Sequence, residues 1–170
     1  MKRVWLQAVA VALLAGCGGT VKQVHLDSTT MVGAQLASSN RCQFRLKDVI
    51  DARAQGGEAG GLGWNQLRVA DGPALLRGEL LKAGLLPAGA QGRDVVVNLK
   101  QMYMTQNRTT KVPVVVYQVQ ADGLAPFLVR AQPTRMNWNS SDDEALSGLS
   151  RALHEANSQL MSVLQKSCGA

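Results

Sequence analysis

The sequence predicts an α+β domain, a two-layer sandwich in which two helices cover one face of a sheet of about four strands. Four stretches alternate apolar and polar residues, and they begin near positions 41, 94, 111 and 127. Two further stretches, near 73–84 and 142–166, carry apolar residues at helical spacing. The resulting order, β-α-β-β-β-α, favours a mostly antiparallel sheet whose first crossover is parallel or skips a strand.

The chain begins with the features of a secretory signal peptide over residues 1–16. Two basic residues precede an apolar run over 4–14, which is too short to span a bilayer as a helix. The run ends at residues 14–17, Leu-Ala-Gly-Cys, which resembles the lipobox of bacterial lipoproteins. That resemblance implies cleavage before Cys17 and its triacylation, including the palmitate that such anchors carry. Several acyl chains hold a protein durably at a membrane.

The residues after the lipobox indicate an address and a domain boundary. Lipoproteins kept at the inner membrane usually carry Asp after the lipidated Cys, whereas this chain has Gly18. We therefore expect the periplasmic leaflet of the outer membrane of a Gram-negative bacterium. Residues 17–40, which are rich in small and polar residues, are expected to form a flexible tether. Within this segment, Val21, Val24 and Leu26 are compatible with one short strand. Residues 41–170 suffice for a single domain.

The charge of the mature chain bears on its partners. Without the signal, 16 basic side chains face 12 acidic ones, a formal excess of four. The expected partners are membrane lipid through Cys17 and an envelope protein or anionic envelope polymer. A solvated surface without a charged partner is, however, the simpler explanation of the basic excess. Nucleic acid is not expected, because aromatic residues are too few for a stacking platform.

Two cysteines remain if Cys17 is lipidated. Cys42 and Cys168 are expected to form a disulfide, since an even pair in an oxidising compartment favours one. No metal site or cofactor is expected, because the histidines, His25 and His154, have no ligand spacing to either cysteine.

The first strand should present a basic outer row. Arg41, Arg45 and Lys47 alternate with inward apolar residues, and the row is either a solvated strand face or an anion contact. The strand should end near Asp51. Residues 55–63 contain five glycines in nine residues and predict a mobile loop. Backbone amides in such a loop can also cradle an anion, and Arg53 and Arg68 flank it.

Helix and strand boundaries follow from local signals. Asp71 and Pro73 predict a helix start and Gly84 a stop. A turn at Asp122-Gly123 predicts a hairpin between strands over 111–120 and 127–132. Pro113 is tolerable only near a strand start or an edge, and Pro133 should end its strand.

The last helix has the clearest pattern. Ser141 to Glu144 forms a capping box, and about 25 residues of amphipathic helix should follow. The apolar positions step by three and four: Leu146, Leu149, Leu153, Ala156, Leu160 and Val163. His154 lies at the edge of this stripe.

These elements together resemble the YajG-like family of bacterial lipoproteins. The resemblance rests on the helix over 73–84, the strand over 95–103, the two strands about Asp122-Gly123 and the final helix, about 130 residues in all. It implies a binding or assembly component of the outer membrane and brings no catalytic residues. The Gly-rich stretch and the cysteine pair depart from the family pattern.

The sequence gives little support for a catalytic function. No nucleophile elbow, zinc-protease motif or phosphate loop occurs. Asp48, Asp51 and Glu58 could flank a sugar bond, which leaves a peptidoglycan or glycan hydrolase as one alternative. A small-ligand or lipid carrier is another, although continuous Leu stripes predict a filled space between helices and sheet.

The sequence thus predicts a non-catalytic, lipid-anchored accessory protein of the envelope. Trp64 and Trp138 lie in predicted loops and are candidate partner anchors, because tryptophan on a loop is often an interface hot spot. Packing in the core or at its boundary is the simpler alternative for each. With the basic row of Arg41, Arg45 and Lys47, they complete the candidate contact residues.

Overall fold

The computed structural model describes residues 21–23, 43–54, 56–62, 65–69, 71–107, 109–136 and 141–168. These residues form eight strands and two helices. The strands are β1 (Val21–Gln23), β2 (Phe44–Asp51), β3 (Glu58–Leu62), β4 (Asn65–Arg68), β5 (Arg93–Gln106), β6 (Thr110–Ala121), β7 (Phe127–Ala131) and β8 (Arg135–Met136). The helices are α1 (Gly72–Lys82), between β4 and β5, and α2 (Asp142–Lys166), after β8.

The long antiparallel pair β5–β6 is the centre of a mixed sheet. One edge of β6 pairs antiparallel with β7 and β8. The far edge of β5 pairs parallel with β2 along its first half and with β3 near its end. β4 and β1 extend the sheet beyond β3. The predicted α+β sandwich is confirmed, as is a parallel first crossover, but the described sheet has eight strands rather than about four.

The predicted alternation in β2 is confirmed. Phe44 and Leu46 are buried, whereas Lys47 is exposed. A register shift between Leu46 and Asp48 then inserts one extra residue relative to β5. Because this bulge resets the alternation, Val49 returns to the core.

The prediction of a mobile loop over residues 55–63 is wrong for the part that the structure describes. β3 occupies Glu58–Leu62 and forms an antiparallel pair with β4. Gly60 has a φ of 79°, and a Cβ there would collide with the carbonyl oxygen of Met104. The glycines therefore allow a close approach of β3 to β5, a use of glycine that composition alone does not distinguish from a flexible loop.

Pro113 is the fourth of the twelve residues of β6, close to the strand start as expected. Its partner on β5 is Met104. On the other edge of β6, the pairs Val115–Ala131 and Lys111–Arg135 share one register, which places Pro133 opposite Pro113. Because neither proline has an N–H to donate, the hydrogen bonding along this edge of β6 is interrupted here. β7 ends at Ala131, before Pro133, as predicted.

Helix α1 ends in a Schellman motif. Gly84, with a φ of 110°, donates its N–H to the carbonyl of Leu81, and Leu85 donates to Leu80. Pro73 lies in the first turn as predicted, whereas the side chain of Asp71 makes no capping hydrogen bond.

Helix α2 spans the predicted 25 residues. Its cap is confirmed, because the Ser141 hydroxyl accepts a hydrogen bond from the Glu144 N–H at 3.2 Å. The predicted apolar stripe holds except at its end, where Leu164 is buried and Val163 is 39 % exposed. The reason is that the four-residue step from Leu160 keeps Leu164 on the buried face.

The core lies between this face of α2, α1 and the sheet. Within the core, the fully buried Tyr117 of β6 donates its hydroxyl to Asn157 of α2 at 3.2 Å. Burial raises the pKa of Tyr117 well above its usual value, and the negative charge of Glu79 on α1 adds to this effect. Within the described residues, no helix is long and apolar enough to cross a bilayer.

Candidate functional site

The structure describes only some of the sequence-predicted site residues. Arg45 and Lys47 lie on β2, and Cys168 follows α2. Cys17, Arg41, Cys42, Trp64 and Trp138 lie outside the described residues. Their lipidation, disulfide and contact roles stay predictions. Cys168 is half-buried and disulfide-bonded, with its Sγ 3.3 Å from the Leu164 carbonyl oxygen, and its partner is not among the described residues.

The described part of the basic row is held by an acidic side chain on β5. Asp94 accepts a hydrogen bond from Arg45 Nε on one carboxylate oxygen and lies 3.0 Å from Lys47 Nζ on the other. Arg45 also donates to the carbonyl of Ala90 at 3.1 Å. These contacts lower the pKa of Asp94 to about 2, chiefly through the hydrogen bond from Arg45 and then that from Lys47. Arg45 therefore holds β2 against β5, and Lys47, 63 % exposed, is the cation presented to solvent.

The same end of β5 is tied to the β6–β7 turn. Arg93 Nε donates to the carbonyl of Asp122 at 2.8 Å, and the Asp122 carboxylate accepts from the Asp94 N–H at 2.9 Å. The Arg93 guanidinium also lies 4.8 Å from the centroid of the Phe44 ring. Arg93, Asp94 and Asp122 thus join β2, β5 and the β6–β7 turn.

The carboxylates considered for sugar hydrolysis are partly engaged in ion pairs. Asp48 lies 2.7 Å from Arg77 on α1, and Asp51 lies 2.7 Å from Arg53. The hydrogen bond from Arg53 lowers the pKa of Asp51. A general acid needs a raised pKa instead, so Asp51 is poorly suited to that role. Glu58 is half-buried on β3.

Arg53 is a structural residue and not a free anion contact. Its side chain is 4 % exposed, and besides pairing with Asp51 it donates to the carbonyl of Val69 at 3.0 Å. It therefore joins the end of β2 to the segment that enters α1. Arg68 is exposed on β4.

His154 is half-buried on α2, as expected at the edge of the apolar stripe. Its Nδ1 is buried and has no hydrogen-bond partner among the described residues. In the part of the chain that the structure describes, no three His, Cys, Asp or Glu side chains are grouped closely enough to hold a metal ion.

A cavity of about 360 Å³ opens between the first turns of α2 and strands β6 and β8. The helix approaches the sheet closely here because residue 148 is glycine: a Cβ at Gly148 would lie 2.9 Å from Met104 Cε and 3.7 Å from Pro113 Cγ. Met136 of β8 lies at the rim and is 66 % exposed. The Leu stripe predicted a filled space between helix and sheet, and this prediction is wrong at the amino end of α2.

A charge pair forms the polar wall of the cavity. Lys111 of β6, with a side chain 3 % exposed, contacts the carboxylate of Glu144 in the first turn of α2. Burial lowers the pKa of Lys111. Thr134 and Ser147 add hydroxyl groups to the lining. The arrangement offers an ammonium, a carboxylate and apolar walls within one concave site.

The sequence contains two signals for this cavity that pattern reasoning missed. Lys111 has the same parity along β6 as the core residues Val115 and Tyr117, so it points inward. Gly148 lies on the buried face of α2, where a larger apolar residue is normal. A lysine on a buried strand face and a glycine on a buried helix face indicate a polar cavity only when the two faces are known to pack against each other.

No family model and no curated protein matches the chain. Among solved structures, a Xanthomonas campestris protein of the DUF330 family matches at 7% identity, over 83% of this chain and 91% of that one, with a TM-score of 0.53. An uncharacterised protein matches at 10% identity, over 83% and 95%, with a TM-score of 0.48. A PelC dodecamer from Paraburkholderia phytofirmans matches at 13% identity, over 73% and 93%, with a TM-score of 0.36.

At such low identity these matches concern the fold, and the two TM-scores below 0.5 carry no argument. None of them identifies the YajG-like family, which stays a prediction. The chain has a fold similar to that of a DUF330 protein, a bacterial protein of uncharacterised function.

Proposed function

We propose that this chain is a lipoprotein of the outer membrane whose periplasmic α+β domain binds another component of the envelope and catalyses no reaction. The observation that carries the proposal is the Leu-Ala-Gly-Cys sequence at residues 14–17, at the end of a signal-like apolar run. The YajG-like resemblance and the fold shared with a DUF330 protein agree with such a role.

The mechanism proposed is tethering. Acyl chains on Cys17 would confine the domain close to the membrane surface, because β1 begins at Val21 and pairs with β4 of the sheet. Only residues 18–20 then separate the anchor from the sheet, and a fully extended chain from residue 17 to residue 21 spans at most about 14 Å. Confinement raises the effective concentration of the domain towards any neighbour within that reach. A weak contact can then be occupied without a large interface.

The proposed contact surface includes the exposed end of the basic row. Since Arg45 is held by Asp94 and Ala90, the row presents chiefly Lys47 to a partner. Arg41, Trp64 and Trp138 remain proposed contacts on the strength of the sequence. An envelope protein or an anionic polymer would suit this set.

The anchor is tested by expressing the full chain in a Gram-negative bacterium with an alkyne analogue of palmitate. We expect labelled protein in the outer-membrane fraction. Cys17→Ala should abolish the label, whereas the matched control Cys168→Ala should keep it. Equal labelling of Cys17→Ala and the wild type would overturn the anchor, and labelled protein in the inner membrane would overturn the address.

The contact is tested by photocrosslinking in intact cells. A photoreactive residue replaces Lys47, Trp64 or Trp138 in turn, and Glu155, exposed on α2, serves as the control position. Capture of one envelope component from a test position, and not from position 155, supports the proposal. If all four positions capture the same background, the proposed contact surface is wrong.

A further inference from the structure

The charge pair in the α2 cavity leaves hydrogen-bonding capacity unused. A lysine ammonium has three N–H donors. Among the described residues, Lys111 donates to Glu144 and to no other group. The side chain is 3 % exposed and lines the cavity, so an acceptor for its other two donors has to lie in the cavity. Buried donors are normally satisfied, and here the space beside them is the cavity.

The remaining walls are apolar and adaptable. Met104, Pro113 and Met136 line the cavity, and Gly148 exposes backbone in place of a side chain. Methionine side chains adjust to ligands of different shape because they are unbranched and polarisable. A volume of about 360 Å³ is near the lower limit for small-molecule pockets, which span roughly 300–1,000 Å³. The cavity therefore suits a short apolar body.

The charges indicate which head group would fit. Lys111 and Glu144 together are formally neutral. An anionic head group would bring a second negative charge close to Glu144, and a cationic one would displace Glu144 as the partner of Lys111. A neutral oxygen, such as an amide or ester carbonyl, can accept from Lys111 without either conflict.

We propose that the cavity at the amino end of α2 binds a small uncharged amphipathic molecule. Its acceptor oxygen takes a hydrogen bond from Lys111, and its apolar part lies against Met104, Pro113 and Met136. Gly148 lets α2 lie close to Met104 and adds no side chain to the cavity lining. Binding here is independent of the acyl anchor on Cys17, since every residue involved belongs to β5, β6, β8 or α2.

The test uses the full chain in lipid nanodiscs and octanamide carrying a photoreactive diazirine on its alkyl chain. We expect saturable labelling of the peptides that contain Met104 or Met136, detected by mass spectrometry. Unlabelled octanamide should compete at a concentration about tenfold lower than octanoate or octylammonium, which have the same alkyl chain and a charged head group.

Variants assign the binding to this cavity. Lys111→Met should lower labelling about tenfold, because it removes the donor. The control Lys100→Met changes an exposed lysine of β5 outside the cavity and should label like the wild type. Met136→Ser should weaken labelling about threefold. Because Met136 is exposed, this substitution leaves the core intact.

Three results would overturn the proposal. They are equal labelling of Lys111→Met and Lys100→Met when both melt cooperatively, equal competition by octanoate and octanamide, and labelling confined to peptides outside the cavity. If Lys111→Met does not fold, the head-group series and Met136→Ser decide. If Cys17→Ala loses the acyl anchor but is still labelled by the octanamide probe, binding in the cavity does not depend on the tethering function.

Discussion

Asp94 illustrates how one side chain joins two strands. Its carboxylate holds Arg45 and Lys47 of β2, and the pKa falls from its usual value near 3.8 to about 2. A folded-state pKa below the unfolded value stabilises the protein above the unfolded pKa, and the contribution disappears as the carboxylate is protonated. We therefore expect thermal stability to fall as the pH drops from about 4 towards 2.

The measurement is the melting temperature as a function of pH for the wild type and Asp94→Asn. The variant should melt lower at pH 7 and lose less stability on acidification, since it has no carboxylate to protonate at this position. Glu155→Gln, at an exposed position of α2, is the control and should follow the wild type. A parallel pH dependence for wild type and Asp94→Asn would contradict the assignment.

Gly60 is required by a close approach of two backbones. Its φ of 79° and the position of the Met104 carbonyl oxygen exclude a Cβ. Gly60→Ala should lower the free energy of unfolding by more than about 1 kcal/mol, measured by urea denaturation. Gly56→Ala is the matched control, because a Cβ there meets nothing within 4 Å. Equal midpoints for the two variants would show that β3 does not depend on this approach.

Single residues were predictable where their role depends on neighbours in the chain. The exposure of the Lys47 side chain was predicted from the alternation along β2. The turn at Gly123 was predicted from the dipeptide Asp122-Gly123. The partner of Lys47 was not predictable, since Asp94 lies on a strand that the sequence does not specify as the neighbour. Lys111 was missed for the same reason, because Glu144 lies 33 positions away.

Helix α2 depends on its first turn for both stability and the cavity. Ser141 accepts from the Glu144 N–H, and the same Glu144 side chain contacts Lys111. Ser141→Ala should destabilise the protein by about 1 kcal/mol in urea denaturation. The exposed hydroxyl of Ser158 donates to the His154 carbonyl within the same helix, so Ser158→Ala should change stability by less than about 0.5 kcal/mol. A cost for Ser158→Ala as large as that for Ser141→Ala would argue against a capping role.

Elements with strong local signals were predicted closely. Helix α2 and the β6–β7 hairpin occupy the expected residues, because capping, helical spacing and turn chemistry act over a few positions. β3 and β4 were missed because their stretch has high glycine content and weak alternation. They form strands because β3 can lie against the end of β5, which is a tertiary condition.

The molecule should open from its edges inwards. β5 and β6 are paired on both sides and carry the core, whereas β8 is a two-residue edge strand. Backbone amides in central strands exchange only on large-scale opening. Hydrogen exchange followed by mass spectrometry should therefore find the slowest exchange in β5 and β6 and faster exchange in β8. Equal protection of β8 would mean that the edge is covered by something beyond the described contacts.

The sequence by itself determined the fold class, the two helices and the strand order from β5 to β7, because these depend on periodicity and on signals a few residues apart. It also contains the lipobox-like Leu-Ala-Gly-Cys sequence at residues 14–17, on which the proposed anchor rests. Only the tertiary structure decided that a glycine-rich stretch becomes β3 and that Lys111 meets Glu144 beside a cavity. Such contacts join residues far apart in the chain, and a close approach or a buried charge is stable only when both partners are brought together by the whole fold.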